Sequence, residues 1–374
     1  MTAPADEATE EALARLRGGM LPRPLTARGI AALASNPGCR RRAILDAAAI
    51  RKDEVAAYAG YPVPFGQSPF AITREKAFKA QLTGDPGGLF LAVLREALDL
   101  DITEVGYTDL GADDAEEGPL NLDLRHAQTQ QALTAAPEHR GTLFYHPLLR
   151  FRVGGRYAYL EPDLVTFRHD DTFHVVEIKS FPVIDGQGDP ASVSAAALQG
   201  AVYVLALRDL LGTAAAVHHE TVLITPKDFG NTPLASRVDV RKHVGVVTRQ
   251  LSRLDQIPAL LAPLPAGLTF DLARDDKRVP QRDRADLVSA LKQVEACYAP
   301  ECLANCEMCY FCRDEASGQT AVLGKSVRED LGAIESIGRV LRLARGDGPP
   351  PPPDQAEAAA ILRRALSLRD GILR

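Results

Sequence analysis

Charged side chains interrupt an otherwise apolar stretch near the middle of the chain, between Tyr157 and Lys179. Asp163 lies in its first half, and Glu177 precedes Lys179 by two residues at its end. Residues two apart on a strand face the same side of a sheet, so Glu177 and Lys179 are expected to project together. Carboxylate oxygens are preferred ligands of Mg²⁺ and Mn²⁺, and a nearby ammonium stabilises charge on a phosphate or orients an attacking water. The residue types therefore indicate metal-assisted phosphoryl chemistry.

A simpler interpretation of the Glu-x-Lys motif is an exposed hairpin that carries a surface ion pair. Apolar residues surround the charges, however, and charged side chains are seldom placed in such a strand pair without a partner. These apolar residues are Leu160, Leu164, Val165, Val175, Val176 and Ile178. Their presence favours a functional site over a solvated hairpin.

The alanine-rich stretch after this motif predicts a helix that packs on a sheet. On it, Gln199 and Tyr203 are spaced i, i+4 and therefore share one face. The ordered set of Pro-Asp, Glu-x-Lys and Gln-xxx-Tyr resembles the RecB-like branch of the PD-(D/E)xK nucleases. The resemblance implies that Asp163 and Glu177 bind the catalytic metal and that Lys179 is catalytic. It also implies that Gln199 and Tyr203 lie on a helix beside the active site.

Strands and turns must bring these residues together. Aromatic and β-branched residues predict a strand over 157–167, a short turn over 168–172 and a returning strand over 173–178. An earlier strand is predicted over 143–153, followed by a Gly-Gly turn. Periodicity also predicts helices over 40–50, 70–82, 88–98 and 237–257, and a further strand over 214–225.

The expected fold is α/β, with a restriction-endonuclease-like central mixed sheet flanked by helices and a cysteine-rich helical C-terminal cap. The resemblance and the composition together predict four parts. These are a flexible N-terminus at 1–24, a nuclease domain at 25–296 with an N-terminal helical part, a cysteine segment at 297–315 packed back on Cys39, and C-terminal helices at 316–374 with a proline-rich linker near 348–353.

The chain of 374 residues has a net charge of −6, which predicts no general attraction to nucleic acid. Any contact with DNA must then come from local cationic surfaces. Candidates are Arg40, Arg41 and Arg42 at the start of a predicted helix, and Arg241 and Lys242 on a later one. A solvated helix surface is the alternative interpretation of both groups.

The hydropathy pattern predicts no signal peptide and no apolar run of transmembrane length. We therefore expect a cytoplasmic protein that has no membrane partner. DNA is the expected partner, together with other proteins of a repair or defence complex.

An early helix often carries a further metal-binding glutamate in RecB-like nucleases, within an Arg-Gly-x-x-Phe-Glu pattern. Here the corresponding residues are Arg74, Phe78 and Lys79, so a lysine replaces that glutamate, and Glu75 lies one helical turn earlier. The replacement supports the alternative of a catalytically weak DNA-binding or assembly module. Some relatives use a helical histidine, which makes His126 a possible metal ligand, although a surface position was the favoured interpretation.

Five of the six cysteines lie between Cys297 and Cys312. Such density in a cytoplasmic protein favours a metal or iron–sulfur centre over disulfide bonds, because thiolates bind soft metals and the cytosol keeps thiols reduced. Zn²⁺ held entirely within this segment is one interpretation, and an iron–sulfur cluster is the other.

The resemblance extends to an iron–sulfur subgroup that includes the AddB nuclease subunits and the exonucleases associated with CRISPR adaptation. In that subgroup a 4Fe-4S cluster is held by one cysteine before the nuclease core and three after it. The implied ligands are Cys39, Cys302, Cys306 and Cys312, with Cys309 as a possible substitute. The resemblance implies a metal-dependent exonuclease acting on single-stranded DNA, and an RNA-processing nuclease is a further alternative.

Overall fold

The structure, a computed structural model, describes residues 4–36, 38–63, 69–84, 88–99, 106–111, 119–136, 142–153, 156–162, 164–169, 172–213, 216–228, 230–254, 256–332 and 334–373. Its helices are α1 Pro4–Arg17, α2 Ala27–Ser35, α3 Arg40–Ala47, α4 Lys52–Ala59, α5 Pro69–Thr83, α6 Leu89–Leu98, α7 Pro119–Thr134, α8 Pro190–Leu211, α9 Arg241–Leu254, α10 Ile257–Leu261, α11 Arg284–Lys292, α12 Cys302–Asn305, α13 Cys309–Glu315, α14 Lys325–Asp330, α15 Ile337–Arg345 and α16 Ala356–Ile372. Its strands are β1 Gly106–Asp109, β2 Thr142–Tyr145, β3 Leu149–Val153, β4 Arg156–Leu160, β5 Leu164–His169, β6 Thr172–Ile178, β7 Val183–Ile184, β8 Gln187–Gly188, β9 Glu220–Pro226 and β10 Pro233–Asp239.

A mixed six-stranded sheet in the order β1-β2-β5-β6-β9-β10 forms the centre of the described part. The pairs β2–β5, β5–β6 and β9–β10 are antiparallel, whereas β1–β2 and β6–β9 are parallel. A parallel pair needs a long crossover, and α8 supplies it. The pairs β3–β4 and β7–β8 form small separate sheets. The predicted α/β class is therefore confirmed.

Helices cover both faces of the central sheet around β6. Alternate residues of a strand point to opposite faces, and Phe173 and Val175 pack into the core cluster that contains the buried face of α8. Val176 and Ile178 pack instead with buried residues of α5 and α6. Glu177 continues the alternation of Phe173 and Val175, which directs it toward the α8 side of the sheet.

The predicted hairpin is present as β5 and β6, but the long strand that was expected before it is divided. Strand β4 ends at Leu160 and β5 begins at Leu164, in a different sheet. Pro162 lies between them and has no N–H to continue a ladder. The strand predicted over 143–153 is likewise interrupted at His146, whose φ of 50° is incompatible with an extended strand.

Helix α8 is the central helix of the described fold. The Asp189 carboxylate caps its start by accepting a hydrogen bond from the Ser192 N–H, and Gly212 ends it in the left-handed conformation. Gly200 allows a close approach to Thr221 of β9, because a Cβ there would lie 3.0 Å from a Thr221 methyl carbon. Contrary to expectation, α8 is long and apolar enough to cross a membrane, but more than half of its apolar window is buried within the protein.

Residues 4–24, the described part of the segment predicted to be flexible over 1–24, begin with a helix that packs on the core. This helix is α1, and Leu13, Leu16 and Met20 are buried. The Leu16 carbonyl accepts a hydrogen bond from the Phe270 N–H at 2.8 Å. The segment is ordered because its apolar residues join the same core cluster as those of the cysteine segment.

One other predicted helix has different bounds. The helix expected over 237–257 begins only at Arg241, because Arg237 belongs to β10, and Pro258 lies in the first turn of α10, where its missing N–H costs nothing. Beyond the cysteine segment, α15 and α16 pack against each other around a small cluster of Ile334, Leu343 and Ala359.

Candidate active site

Glu177 and Lys179 lie at the C-terminal end of β6, on the same side of the sheet. Glu177 is only 2% exposed, and its Oε2 is 2.7 Å from the Lys179 Nζ. The Lys179 N–H donates to the Ile224 carbonyl at 2.9 Å, which continues the β6–β9 pairing past the end of the strand. The backbone therefore fixes the paired orientation that the Glu-x-Lys spacing predicted.

A hydrogen-bonded series continues from this pair onto α8. The Lys179 Nζ donates to Gln199 Oε1 at 3.1 Å, and the Gln199 Nε2 donates to the Tyr203 hydroxyl oxygen at 3.2 Å. The Tyr203 hydroxyl in turn donates to the Glu161 carbonyl at 3.0 Å. We call Glu177, Lys179, Gln199 and Tyr203 the catalytic series, after the role that the sequence predicts for them. The structure thus brings together four of the five residues predicted at the active site.

Asp163, the fifth predicted residue, lies outside the described residues. The segment before it is tied to two helices, because the Glu161 carboxylate also accepts a hydrogen bond from Arg125 of α7 at 3.0 Å. Tyr203 and Arg125 together hold the chain at the end of β4, two residues before Asp163.

A cleft of about 720 Å³ opens beside Lys179 and Gln199. Residues from several separate parts of the chain line it, including Arg28, Glu75, Asp189, Ser192 and Asn305. Lys179 keeps 18% of its side chain exposed, so its ammonium can be reached from the cleft. The cleft is mixed in charge, with a cation from α2 and a carboxylate from α5 among its walls.

Glu75 is the carboxylate that α5 contributes to this cleft. Lys79, at the position where the resemblance expects a glutamate, lies one turn away and forms an ion pair with Glu75 at 3.0 Å. Lys79 therefore neutralises Glu75, and of the two side chains it is Glu75 that lines the cleft.

His126 is buried on α7, and the favoured interpretation as a surface residue is wrong. Its Nδ1 lies 3.1 Å from the Leu148 carbonyl, so Nδ1 carries the proton in that hydrogen bond. In a neutral ring this hydrogen bond selects the tautomer with a free Nε2 lone pair, which is the tautomer that a metal-binding histidine needs. The described contacts hold the ring against the start of β3, and its role as a ligand stays a prediction.

The two cysteine-bearing ends of the fold meet. Asn36, at the end of α2, donates through Nδ2 to the Cys297 carbonyl at 2.6 Å and to the Cys302 Sγ at 3.2 Å. On α3, the Arg41 Nη1 donates to the Cys312 Sγ at 3.2 Å. Cys39 lies between Asn36 and Arg41 in the chain, at the N-cap of α3. The packing of the cysteine segment on Cys39 itself stays a prediction.

Buried cations surround the cysteine segment. Arg41 is 1% exposed and also pairs with both carboxylate oxygens of Glu315. Arg42 and Lys52 are each 4% exposed and share Asp46 as a partner. Arg41 and Arg42 therefore do not contribute to an exposed surface for DNA, and only Arg40 of that predicted group is partly exposed.

The later cationic pair lies on the surface. Arg241 forms an ion pair with Asp239, at the junction of β10 and α9, and Lys242 is exposed beside it. Part of the positive charge is therefore neutralised within the protein, and contact of these residues with DNA stays a prediction.

The cysteines do not form a ready metal site in the described geometry. All six are free thiols, and no three Cys, His, Asp or Glu side chains among the described residues stand close enough together to hold a metal ion. The donor chemistry nevertheless fits an anionic centre, since sulfur atoms accept N–H bonds from Asn36 and Arg41. Burial raises the pKa of the Cys312 thiol to about 12 against the opposing effect of Arg41, so a metal must displace a proton there.

Comparisons of the chain with protein-family models, curated proteins and solved structures find no significant match.

Sequence reasoning did not identify Arg28 and Asn305 as residues of the cleft. They lie far from the catalytic series in the chain, and neither belongs to a motif with recognisable spacing. Only the packing of α2 against α8 and α12 places them there.

Proposed function

We propose that the protein is a metal-dependent nuclease that hydrolyses phosphodiester bonds of single-stranded DNA. The catalytic series carries the proposal, because a buried carboxylate, an ammonium and a helical Gln/Tyr pair converge at the end of a strand. Two of its members, Lys179 and Gln199, line the cleft. The mixed sheet with helices on both faces is compatible with the restriction-endonuclease-like core that the resemblance implies.

Glu177 and Asp163 would hold Mg²⁺ or Mn²⁺, with His126 as a possible further ligand. When bound, such an ion polarises a phosphoryl oxygen and lowers the pKa of a coordinated water. Lys179 donates hydrogen bonds from a fixed position, because Glu177 and Gln199 both hold its ammonium. That position suits orientation of the attacking water and stabilisation of charge that develops on the phosphate.

Glu75 supplies a carboxylate on α5, the early helix in which Lys79 replaces the glutamate that the resemblance expects. It lines the cleft, and Lys79 both neutralises and orients it through the ion pair. The lysine at the family's glutamate position therefore does not by itself argue for an inactive protein. In this proposal Glu75 would add a carboxylate to the metal site from one turn earlier on α5.

The cysteine segment is proposed to bind a 4Fe-4S cluster through Cys39, Cys302, Cys306 and Cys312. Asn36 and Arg41 donate to two of these sulfur atoms, and the buried cations of α3 and α4 offset the negative charge of a tetrathiolate centre. A cluster there would stabilise the packing of the two chain ends and leave the hydrolytic chemistry to the catalytic series. Zn²⁺ is the alternative occupant.

A protein partner is a second element of the proposal. Helix α16 carries large apolar side chains that are more than half exposed: Ile361, Leu368 and Ile372. Exposed apolar residues at helical spacing suit an assembly in a repair or defence complex.

The test is hydrolysis of end-labelled single-stranded DNA, duplex DNA and RNA by anaerobically purified protein, with Mg²⁺, Mn²⁺ or a chelator. We expect metal-dependent cleavage, fastest on single-stranded DNA, and none by Lys179→Ala. Cleavage of RNA alone would favour an RNA-processing nuclease. Binding of DNA without cleavage under every metal condition would favour a non-catalytic assembly module.

A further inference from the structure

The β3–β4 hairpin has one buried face and one face that points away from the core. In its antiparallel register Arg150 lies opposite Tyr159, and Arg152 lies opposite Tyr157. Side chains two apart on a strand share a face, so these four residues project together. We call them the Arg–Tyr face. Residues of the opposite face are buried: Leu149, Val153, Ala158 and Leu160.

Contacts within the Arg–Tyr face hold two of its side chains in place. The Arg150 guanidinium carbon lies 4.6 Å from the centre of the Tyr157 ring, a cation–π arrangement. Asp123 of α7 accepts hydrogen bonds from Arg150 at 3.0 Å and from the Tyr159 hydroxyl. The Tyr157 side chain is 58% exposed, and Arg152 is exposed beside it. The face thus presents a positioned aromatic ring and a cation to solvent.

We propose that the Arg–Tyr face binds single-stranded DNA, with a base stacked on Tyr157 and backbone phosphates beside Arg152 and Arg150. Aromatic rings alternating with cations are the surface that unpaired nucleotides need, since every base has a π-face and every linkage carries a negative charge. A duplex conceals its base faces and gains only the ionic contacts. The proposal rests on the proposed nuclease function and names its substrate class and an additional binding site.

The position of the face supports this role. Strand β4 leads from Tyr159 to Glu161 within two residues, a distance of about 7 Å in extended chain. Glu161 is held by Tyr203 of the catalytic series through its carbonyl and by Arg125 of α7 through its carboxylate. A DNA strand bound on the Arg–Tyr face would therefore leave that face beside the catalytic series.

The chemistry of the face favours a nucleic acid over a protein partner. Two tyrosine rings and two guanidinium groups form it, with the Asp123 carboxylate paired to Arg150 at its edge, and no aliphatic side chain of the kind that fills the centre of a protein interface lies among them. The net charge of −6 for the whole chain makes a local cationic surface necessary for DNA binding.

The experiment measures the anisotropy of fluorescein-labelled oligothymidine bound to the full chain in the presence of a chelator, which prevents hydrolysis. We expect Tyr157→Ala to weaken binding about tenfold, the effect of one lost base stack, and Tyr157→Phe to bind like wild type. Arg152→Ala should weaken binding and lower the slope of log affinity against log salt by about 0.7, the contribution of one phosphate contact. Tyr310→Ala and Arg345→Ala, which alter exposed residues elsewhere, serve as matched controls.

Unchanged affinity of Tyr157→Ala, or an equal loss for the control variants, would overturn the proposal. Tighter Tyr157-dependent binding of oligouridine than of oligothymidine would overturn the assignment to DNA, and equal loss on a duplex would overturn the stacking role. Because binding is measured without hydrolysis, the two proposals fail separately. If cleavage depends on Lys179 but binding does not depend on Tyr157, only the proposed role of the Arg–Tyr face is wrong. If binding depends on Tyr157 but no cleavage occurs, only the proposed nuclease function is wrong.

Discussion

The position of the Lys179 ammonium is set by two neighbours of different character. Glu177 attracts it as an anion, and Gln199 accepts from it as a neutral oxygen. Gln199 in turn donates a hydrogen bond to the Tyr203 hydroxyl oxygen, and the Tyr203 hydroxyl donates one to the Glu161 carbonyl. A displacement of about 1 Å at a reacting group can cost about a hundredfold in rate. The amide of Gln199 is therefore a positioning group for Lys179.

Gln199→Leu should lower the single-turnover cleavage rate by about tenfold to a hundredfold, because the leucine cannot accept from Lys179 or donate to Tyr203. Thermal stability should change little, since Gln199 is only partly buried. Gln131→Leu, on the exposed surface of α7, is the matched control. A Gln199→Leu rate equal to that of the control would contradict a positioning role.

Glu75→Gln should raise the concentration of Mn²⁺ needed for half-maximal cleavage, because it removes a negative charge from the cleft while it keeps the shape of the side chain. Lys79→Met should have a smaller effect in the opposite direction, since it removes the cation that neutralises Glu75. The measurement is a metal titration of the cleavage rate for each variant. Identical titration curves for wild type and Glu75→Gln would exclude Glu75 from the site.

At the scale of elements, the parts that sequence predicted well are local. The β5–β6 hairpin and α8 follow from alternation and from alanine-rich periodicity, and the Glu-x-Lys and Gln-xxx-Tyr spacings place their residues without further information. The break between β4 and β5 was missed because the apolar pattern continues across Glu161 and Pro162. Proline chemistry would have indicated that break.

The parts that sequence did not predict depend on partners far along the chain. Arg41 and Arg42 look like a solvated cationic cluster until Glu315 and Asp46 are placed beside them. The positions of Arg28 and Asn305 at the cleft could not be predicted for the same reason, because they depend on contacts between elements far apart in the chain. Burial of a charge is invisible in a sequence when its counter-charge belongs to a distant element.

A stack of histidines lies at the opposite end of β6 from the catalytic series. His174 and His218 have ring centroids 4.5 Å apart, and His218 and His219 are equally close. Burial, followed by the neighbouring His219 and Arg237, lowers the pKa of His218 below its usual value of 6.5, and Glu220 opposes this shift only in part. The unfolded chain therefore binds a proton at His218 more readily than the folded protein does.

Stability should consequently rise with pH as His218 loses its proton in the unfolded state, and it should fall as the pH drops through about 6.5 toward the lower folded value. His218→Gln should flatten the dependence of the unfolding midpoint on pH across this window. Chemical unfolding at a series of pH values measures it. His243→Gln, at another histidine whose pKa is lowered, tests whether the effect is specific to the stack. An undiminished slope in His218→Gln would contradict the assignment.

At the scale of the whole molecule, the early helices and the cysteine segment close the fold around the central sheet. Asn36 reaches Cys302, Arg41 reaches Glu315, and a single core cluster contains residues of both α1 and α13. Residues of the parts predicted over 25–296 and 297–315 therefore share one core cluster. Helix α2 contacts both α8 and α12, so it connects the cleft with the cysteine segment.

If the proposed iron–sulfur cluster is present, Cys39→Ser should remove it and destabilise the packed ends, because Cys39 is the only cysteine outside the C-terminal group. Cys297→Ser is the matched control and should retain iron. Iron and sulfide content of anaerobically purified protein, with its visible absorbance, measures the result. A colourless protein that contains zinc, and that keeps it in Cys39→Ser, would contradict the iron–sulfur assignment.

The central claim is that Glu177 and Lys179 perform metal-dependent phosphodiester hydrolysis. Its most direct measurement is the single-turnover rate of cleavage of one labelled single-stranded oligonucleotide in Mn²⁺ by wild type, Lys179→Ala and Lys292→Ala, the last at an exposed lysine of α11. We predict cleavage by wild type and Lys292→Ala at similar rates, and a loss of at least about a hundredfold in a folded Lys179→Ala protein. Equal rates for all three proteins would contradict the claim.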